Sequence, residues 1–188
     1  MNYPNGINHK HKKEIIYKNR GMSLEAEINE SNEYYIAIKK AYIYKKPTPI
    51  KITKVDYPSR DKAVIKEAFF TVPSTTDYNG LYNGKYIDFE AKETKSKTAF
   101  SLSNIHHHQI KHLENINSNG GIAFLIVRFT SLNETYLLMA NDFLSFLKTT
   151  DRKSIPISYF KEKGHLIKDS YNPRINYLEI IDNIIGGI

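Results

Sequence analysis

One run, Tyr86-Ile87-Asp88-Phe89-Glu90-Ala91-Lys92, constrains the fold of this chain more than any other. On a strand, alternate side chains share a face. Ile87, Phe89 and Ala91 then point one way, into a core, while Asp88, Glu90 and Lys92 point the other way together. Two carboxylates and an ammonium on one face are costly to bury unless something compensates them. Two readings follow from this strand alone. Either the charges form the exposed face of an edge strand, or they are buried and a divalent metal and a phosphate complete them.

Asp77 favours the second reading. A hairpin is expected from Ser74 to Lys92, turning at Tyr82-Asn83-Gly84, where Asn-Gly is a strong turn dipeptide. Its two arms set Asp77 beside Glu90, with Lys92 two residues further on. Hard carboxylate oxygens suit Mg²⁺, with Mn²⁺ as a substitute. Such a metal lowers the pKa of bound water, and a lysine ammonium stabilises charge developing on a phosphate under attack. Asp77, Glu90 and Lys92 are therefore the candidate catalytic residues. A second Glu-x-Lys, Glu93-Thr94-Lys95, has the opposite parity and is set aside as a catalytic set; its place is the strand end, or DNA contact through Lys95 and Lys97.

The rest of the chain reads as a mixture of helices and strands. Residues 1–19 have the turn residues and weak periodicity of a flexible arm. A helix is predicted from Ser23, a good N-cap followed by Glu25 and Glu27, with Leu24, Ile28, Tyr35 and Ile38 as its apolar stripe. A strand is expected around Tyr42–Lys45. Lys46-Pro47-Thr48-Pro49 excludes a helix interior. Residues 46–72 read as an out-and-back excursion, with Ile50–Val55 as a strand and Lys62–Phe70 as a strand or a short helix. After the hairpin come a helix capped by Ser103 or Asn104 and ending near Asn119-Gly120, a buried strand at Ile122–Phe129, its neighbour at Thr135–Met139, and a helix capped by Asn141. A last helix is expected from Asn176 to about Ile185.

Charge is unevenly placed. The 188 residues carry 27 Lys plus Arg against 20 Asp plus Glu, a net +7. Residues 1–38 and 67–188 each balance, so the whole excess lies in residues 39–66, as a local basic footprint for a polyanion. There is no Cys, which excludes disulfide scaffolds and thiolate chemistry. His106-His107-His108 fan out on a helix and cannot share one ion. His108 and His112 could share a face, but a solvent- or DNA-facing role is favoured. No nucleotide-binding Gly-rich loop or nucleophile elbow is present. Length and composition lead to the expectation of a single domain over 1–188, soluble and cytoplasmic, with no membrane association.

The segments Met1-Asn2-Tyr3-Pro4-Asn5-Gly6, Arg20-Gly21-Met22-Ser23-Leu24-Glu25, Lys45-Lys46-Pro47-Thr48-Pro49, Pro73-Ser74-Thr75-Thr76-Asp77-Tyr78-Asn79-Gly80, Asp88-Phe89-Glu90-Ala91-Lys92-Glu93-Thr94-Lys95 and Pro173-Arg174 resemble the RecU family of Holliday-junction resolvases. The resemblance implies an α/β, restriction-endonuclease-like fold, with a mixed central sheet flanked by helices and a protruding basic stalk at 46–72. It implies a homodimer that cuts four-way DNA junctions with Mg²⁺ in recombination and repair, beside recombinase and branch-migration proteins. It assigns Thr75, Asp77, Glu90 and Gln109 as metal ligands and Lys92 as the transition-state stabiliser. Arg20, Lys45, Lys46, Lys51, Lys54 and Arg60 are the expected DNA-binding residues. The alternatives are a restriction-type nuclease for linear duplex, and a non-catalytic junction-binding protein.

Overall fold

The structure is a computed structural model, and it describes residues 23–71 and 75–186. The expected arm at 1–19, Arg20, and the Pro73-Ser74 part of the family-like motif lie outside the described residues. Elements follow in chain order as α1 (Leu24–Ala37), β1 (Tyr42–Lys45), β2 (Ile50–Asp56), β3 (Val64–Phe70), β4 (Tyr78–Tyr82), β5 (Lys85–Thr94) and β6 (Ala99–Ser101). The second half adds α2 (His107–Ser118), β7 (Ile122–Phe129), β8 (Glu134–Met139), α3 (Ala140–Thr149), β9 (Ser154–Pro156), α4 (Ile157–Lys163), β10 (His165–Ile167) and α5 (Tyr177–Ile185).

Six strands form the main sheet, in the order β1-β4-β5-β7-β8-β10. β5 and β7 run parallel, and α2 is the crossover that parallel neighbours require; the other pairs are antiparallel. The sheet is therefore mixed, as the resemblance implies. Helices cover both faces. Ile43, Ile87, Phe89, Phe124 and Ile126 pack with Leu24, Ile28 and Tyr35 of α1 and Tyr177, Leu178 and Ile181 of α5. On the other face, Leu125, Val127 and Leu138 pack with Leu113 of α2, Phe143 of α3 and Phe160 of α4. Phe89 stacks between Tyr78 and Phe124 at centroid distances of 4.8 and 4.7 Å, so the odd-numbered side of β5 lies deep in the first core.

Several helix ends differ from the sequence reading. Ser23 does cap α1, its Oγ accepting from the Ala26 N–H at 3.3 Å. The helix stops at Ala37, however, which carries Ile38 off the buried stripe and leaves it half-exposed. α2 begins at His107 rather than after Ser103 or Asn104, because β6 pairs with β9 and residues 102–104 form a 3₁₀ turn. α3 starts directly from β8, and Asn141 accepts a hydrogen bond from Asn117 of α2 at 2.7 Å instead of capping. The irregular 150–175 stretch gives no sequence signal for β9, α4 or β10, all of which form there.

The excursion forms its own two-stranded ribbon. β2 pairs only with β3, and every residue of both strands is exposed. Of the two readings for 62–70, the strand holds, after a single 3₁₀ turn at Arg60–Lys62. Among the described residues no helix is long and apolar enough to cross a membrane.

Candidate active site

The hairpin register creates the site. Asn83 and Gly84 adopt φ values of 48° and 73°, the two left-handed residues of a tight primed turn. That turn pairs Tyr78 with Phe89 and Asn79 with Asp88, which brings Asp77 to the level of Glu90. A slip of one residue would put Asp77 and Glu90 on opposite faces of the sheet.

Glu90 is fully buried, and its partners converge from three places. The Asp77 N–H donates to its Oε2 at 3.1 Å, and the Gln109 Nε2 donates to its Oε1 at 2.7 Å. Lys92, a quarter exposed, pairs with the same Oε1. Asp77 in turn accepts from the Ala91 N–H through Oδ2 at 3.3 Å. Burial and, after it, the charge of Asp77 push the Glu90 carboxyl from its ordinary 4.5 up to about 7, against the pull of Lys92. Asp88 is also fully buried. The reading of β5 as an exposed edge strand is thereby excluded: β5 is interior to the sheet, and its charged face is closed over by α2.

The other residues singled out from the sequence distribute unequally. Thr75 precedes Asp77 by two residues, and its hydroxyl donates to the Thr76 carbonyl at 3.5 Å. Gln109 reaches Glu90 through its NH₂, while its Oε1 accepts from the His106 N–H at 2.9 Å and closes the start of α2. As placed, Gln109 orients Glu90 as a donor; ligation through Oε1 requires its amide to turn over and release His106. Lys51, Lys54 and Arg60 stand exposed on the ribbon, with no ion pair among the described residues. Lys45 pairs with Glu25 at the surface, and the ammonium of Lys46 turns inward to Asp88 at 2.7 Å. Glu93 faces away from the site, as its parity requires. Its Oε1 accepts from the first N–H of α1, that of Leu24, at 2.8 Å, and Arg128 bridges it to Glu27.

His112 departs from the sequence reading of a helix-surface or DNA-facing residue: its Nε2 lies 3.2 Å from Asp88 Oδ2. The sequence does hold a signal for this contact, since Asp88 shares the Glu90 face and α2 follows the hairpin. His106 and His108 stack with ring centroids 5.4 Å apart. Among the described residues no group of three or more His, Cys, Asp or Glu could hold a metal ion. The remaining donor set does fit a hard divalent cation. Two carboxylates, the half-buried Asp77 and the fully buried Glu90, meet beside a single ammonium, that of Lys92. Asp77 and Glu90 would hold such an ion, with water and phosphate oxygens filling its other positions, as Mg²⁺ prefers.

A family profile described as Recombination protein U matches residues 19–183. The Holliday junction resolvase RecU of Bacillus thuringiensis (strain Al Hakam) is 51% identical over 195 aligned residues, covering 98% of each chain. The protein of the same name from Bacillus anthracis matches to the same extent. Among solved structures, Hjc, a Holliday junction resolvase of Archaeoglobus fulgidus, aligns with a TM-score of 0.41 and 11% identity, over 72% of this chain and 91% of its own. The profile spans most of the sequence and half-identical relatives match it end to end, so the chain belongs to the RecU family.

Proposed function

We propose that this protein is a structure-selective endonuclease that resolves four-way DNA junctions in recombination and repair, with Mg²⁺ as its cofactor. The carrying observation is the meeting of Asp77 and Glu90 under the Lys92 ammonium at the end of the hairpin. The names of the half-identical relatives agree with this reading. A bound Mg²⁺ would polarise the scissile phosphate and make a coordinated water more acidic. Asp77 and Glu90 would hold the cation, and Lys92, paired with Glu90, would stabilise negative charge building on the phosphate. Gln109 keeps the Glu90 carboxylate aimed.

The ribbon supplies the substrate preference. Four converging duplex arms concentrate negative charge, so an exposed projection bearing Lys51, Lys54 and Arg60 gains more there than on a linear duplex. Paired cuts require two sites related by a two-fold axis, which a homodimer provides. The whole reaction belongs in the cytoplasm, where recombinase and branch-migration proteins are its expected partners. The chain acts as one nuclease unit, with 46–72 as its stalk.

The test is cleavage of a four-way junction by Asp77→Asn and Glu90→Gln proteins with Mg²⁺ or Mn²⁺. Each should lose cleavage by about a hundredfold or more, while junction binding persists. Wild-type-like cutting by either folded variant refutes the assignment. Sequence-dependent cutting of plain duplex would instead favour a restriction-type enzyme, and tight binding without any cutting by the wild type a purely architectural protein.

A further inference from the structure

Asp88 takes no part in the site just described, although it lies two residues from Glu90 on the same face of β5. It is a fully buried carboxylate with partners from four places in the fold. The Lys46 ammonium is at 2.7 Å, the Tyr86 hydroxyl at 3.1 Å and the His112 Nε2 at 3.2 Å, and the Thr76 hydroxyl donates to its other oxygen. Lys46 also bonds Thr76 Oγ1 at 2.9 Å, and the Lys46 N–H donates to the Asp77 carbonyl at 2.8 Å.

Two of these partners have special positions in the chain. Lys46 is the last residue before Pro47-Thr48-Pro49 and β2, where the chain leaves the sheet. Thr76 is the residue before Asp77, where the chain has returned from β3 to start β4. Both roots of the ribbon are thus pinned to a single buried charge. A two-stranded ribbon with no covering layer has little rigidity of its own. Breaking a buried ion pair leaves an uncompensated charge, so such a clamp resists hinge motion more than exposed bonds would.

The geometry points to Asp88 as a positioning residue that fixes the angle of the stalk relative to the strand that carries Glu90. This inference rests on the proposed junction-cutting function only for its consequence, which is where on the bound junction the cut falls. Lys46, by the same argument, serves the clamp through its ammonium rather than reaching for a phosphate.

The experiment compares wild type with Asp88→Asn, Lys46→Met and the double variant. Four readouts apply: single-turnover junction cleavage, mapping of incision positions, junction affinity without metal, and amide hydrogen exchange at residues 44–49 and 75–79. Asp88→Asn should slow cleavage by at least about tenfold through misplacement, and should spread the incisions over more positions. Junction affinity should stay within about threefold, because Lys51, Lys54 and Arg60 are untouched. Exchange should quicken at both roots together, and the double variant should be no worse than Asp88→Asn alone. A merely structural defect would not move incision positions while leaving affinity intact. Unchanged incision positions with unchanged exchange at the roots overturns the inference. If Asp88→Asn fails to fold, Thr76→Val and Lys46→Met should each quicken exchange at the opposite root, and an effect confined to the mutated root overturns it. If the wild-type protein cuts no junction, the functional reading fails, and the exchange data still decide whether Asp88 holds the stalk.

Discussion

Replacing Glu90 by Gln should remove the pH dependence of stability that this carboxyl gives the metal-free protein. Burial and the neighbouring Asp77 charge raise the Glu90 carboxyl from 4.5 to about 7 in the folded state. The folded protein therefore holds this proton more tightly than the unfolded chain. Stability is greatest below the unfolded value, falls as pH rises through the interval to about 7, and stays low above it. A difference of this size is worth on the order of 3 kcal/mol at about pH 8. For a chain of this length that is roughly 6–12 °C in melting temperature. Gln cannot ionise and so removes the slope, although it donates where Glu90 only accepts and gives up one bond worth about 1 kcal/mol. The assay is thermal unfolding in chelator at several pH values from about 5 to about 8. Wild type should lose stability across that range and Glu90→Gln should not. Mg²⁺ added at the high-pH end should recover the loss for wild type alone, since binding to the folded state adds stability in proportion to site occupancy. Parallel pH profiles for the two proteins would refute the assignment of this pH dependence to the buried Glu90 carboxyl beside Asp77.

Two further outcomes follow from the geometry. Neutralising Lys51, Lys54 and Arg60 together should weaken junction binding more than duplex binding, and should flatten the salt dependence of log K by about 3 at most; titrations at several salt concentrations check this, and equal losses on both DNAs would mark the ribbon as a generic charge patch. Gly80→Ala should destabilise the fold by about 1–3 kcal/mol or more, because the new Cβ would lie 2.1 Å from the Tyr42 carbonyl oxygen and 2.6 Å from the Ile43 Cα, which are backbone atoms of β1; urea denaturation checks it.

The parts of the site that are legible in the sequence are those fixed by local rules. Strand parity separates Asp88, Glu90 and Lys92 from Ile87, Phe89 and Ala91, and the Asn-Gly turn sets the register that brings Asp77 to Glu90. Parity also turns Glu93 away, but the use made of it, closing the N-terminus of α1 together with Arg128, depends on a contact 69 residues distant that no local pattern encodes. The helix starts differ for a related reason. Ser103 and Asn141 are good caps by residue type, yet the β6–β9 pairing and the Asn117 bond claim those segments first. Burial of the charged face is likewise undecidable from β5 alone, because it depends on α2 crossing that face on its way to β7.

The basic block shows how tertiary contacts redistribute a charge that composition only totals. Nine Lys and Arg lie in residues 39–66. Lys40, Lys45, Lys46 and Lys66 are paired with Asp182, Glu25, Asp88 and Asp56. Among the described residues the unpaired cations of the excursion are Lys51, Lys54, Arg60 and Lys62, all on the projecting ribbon or at its turn. The pairing of highest consequence is the most buried one, at the root. A cation at the root that pointed outward would add affinity for any DNA while leaving the ribbon free to swing. Turned inward to Asp88, it gives up phosphate attraction and holds the ribbon to the strand that carries Glu90. Affinity and cutting position then depend on different lysines, separated by only a few residues of sequence, and substitutions at the tip and at the root should be distinguishable by whether binding or incision changes first.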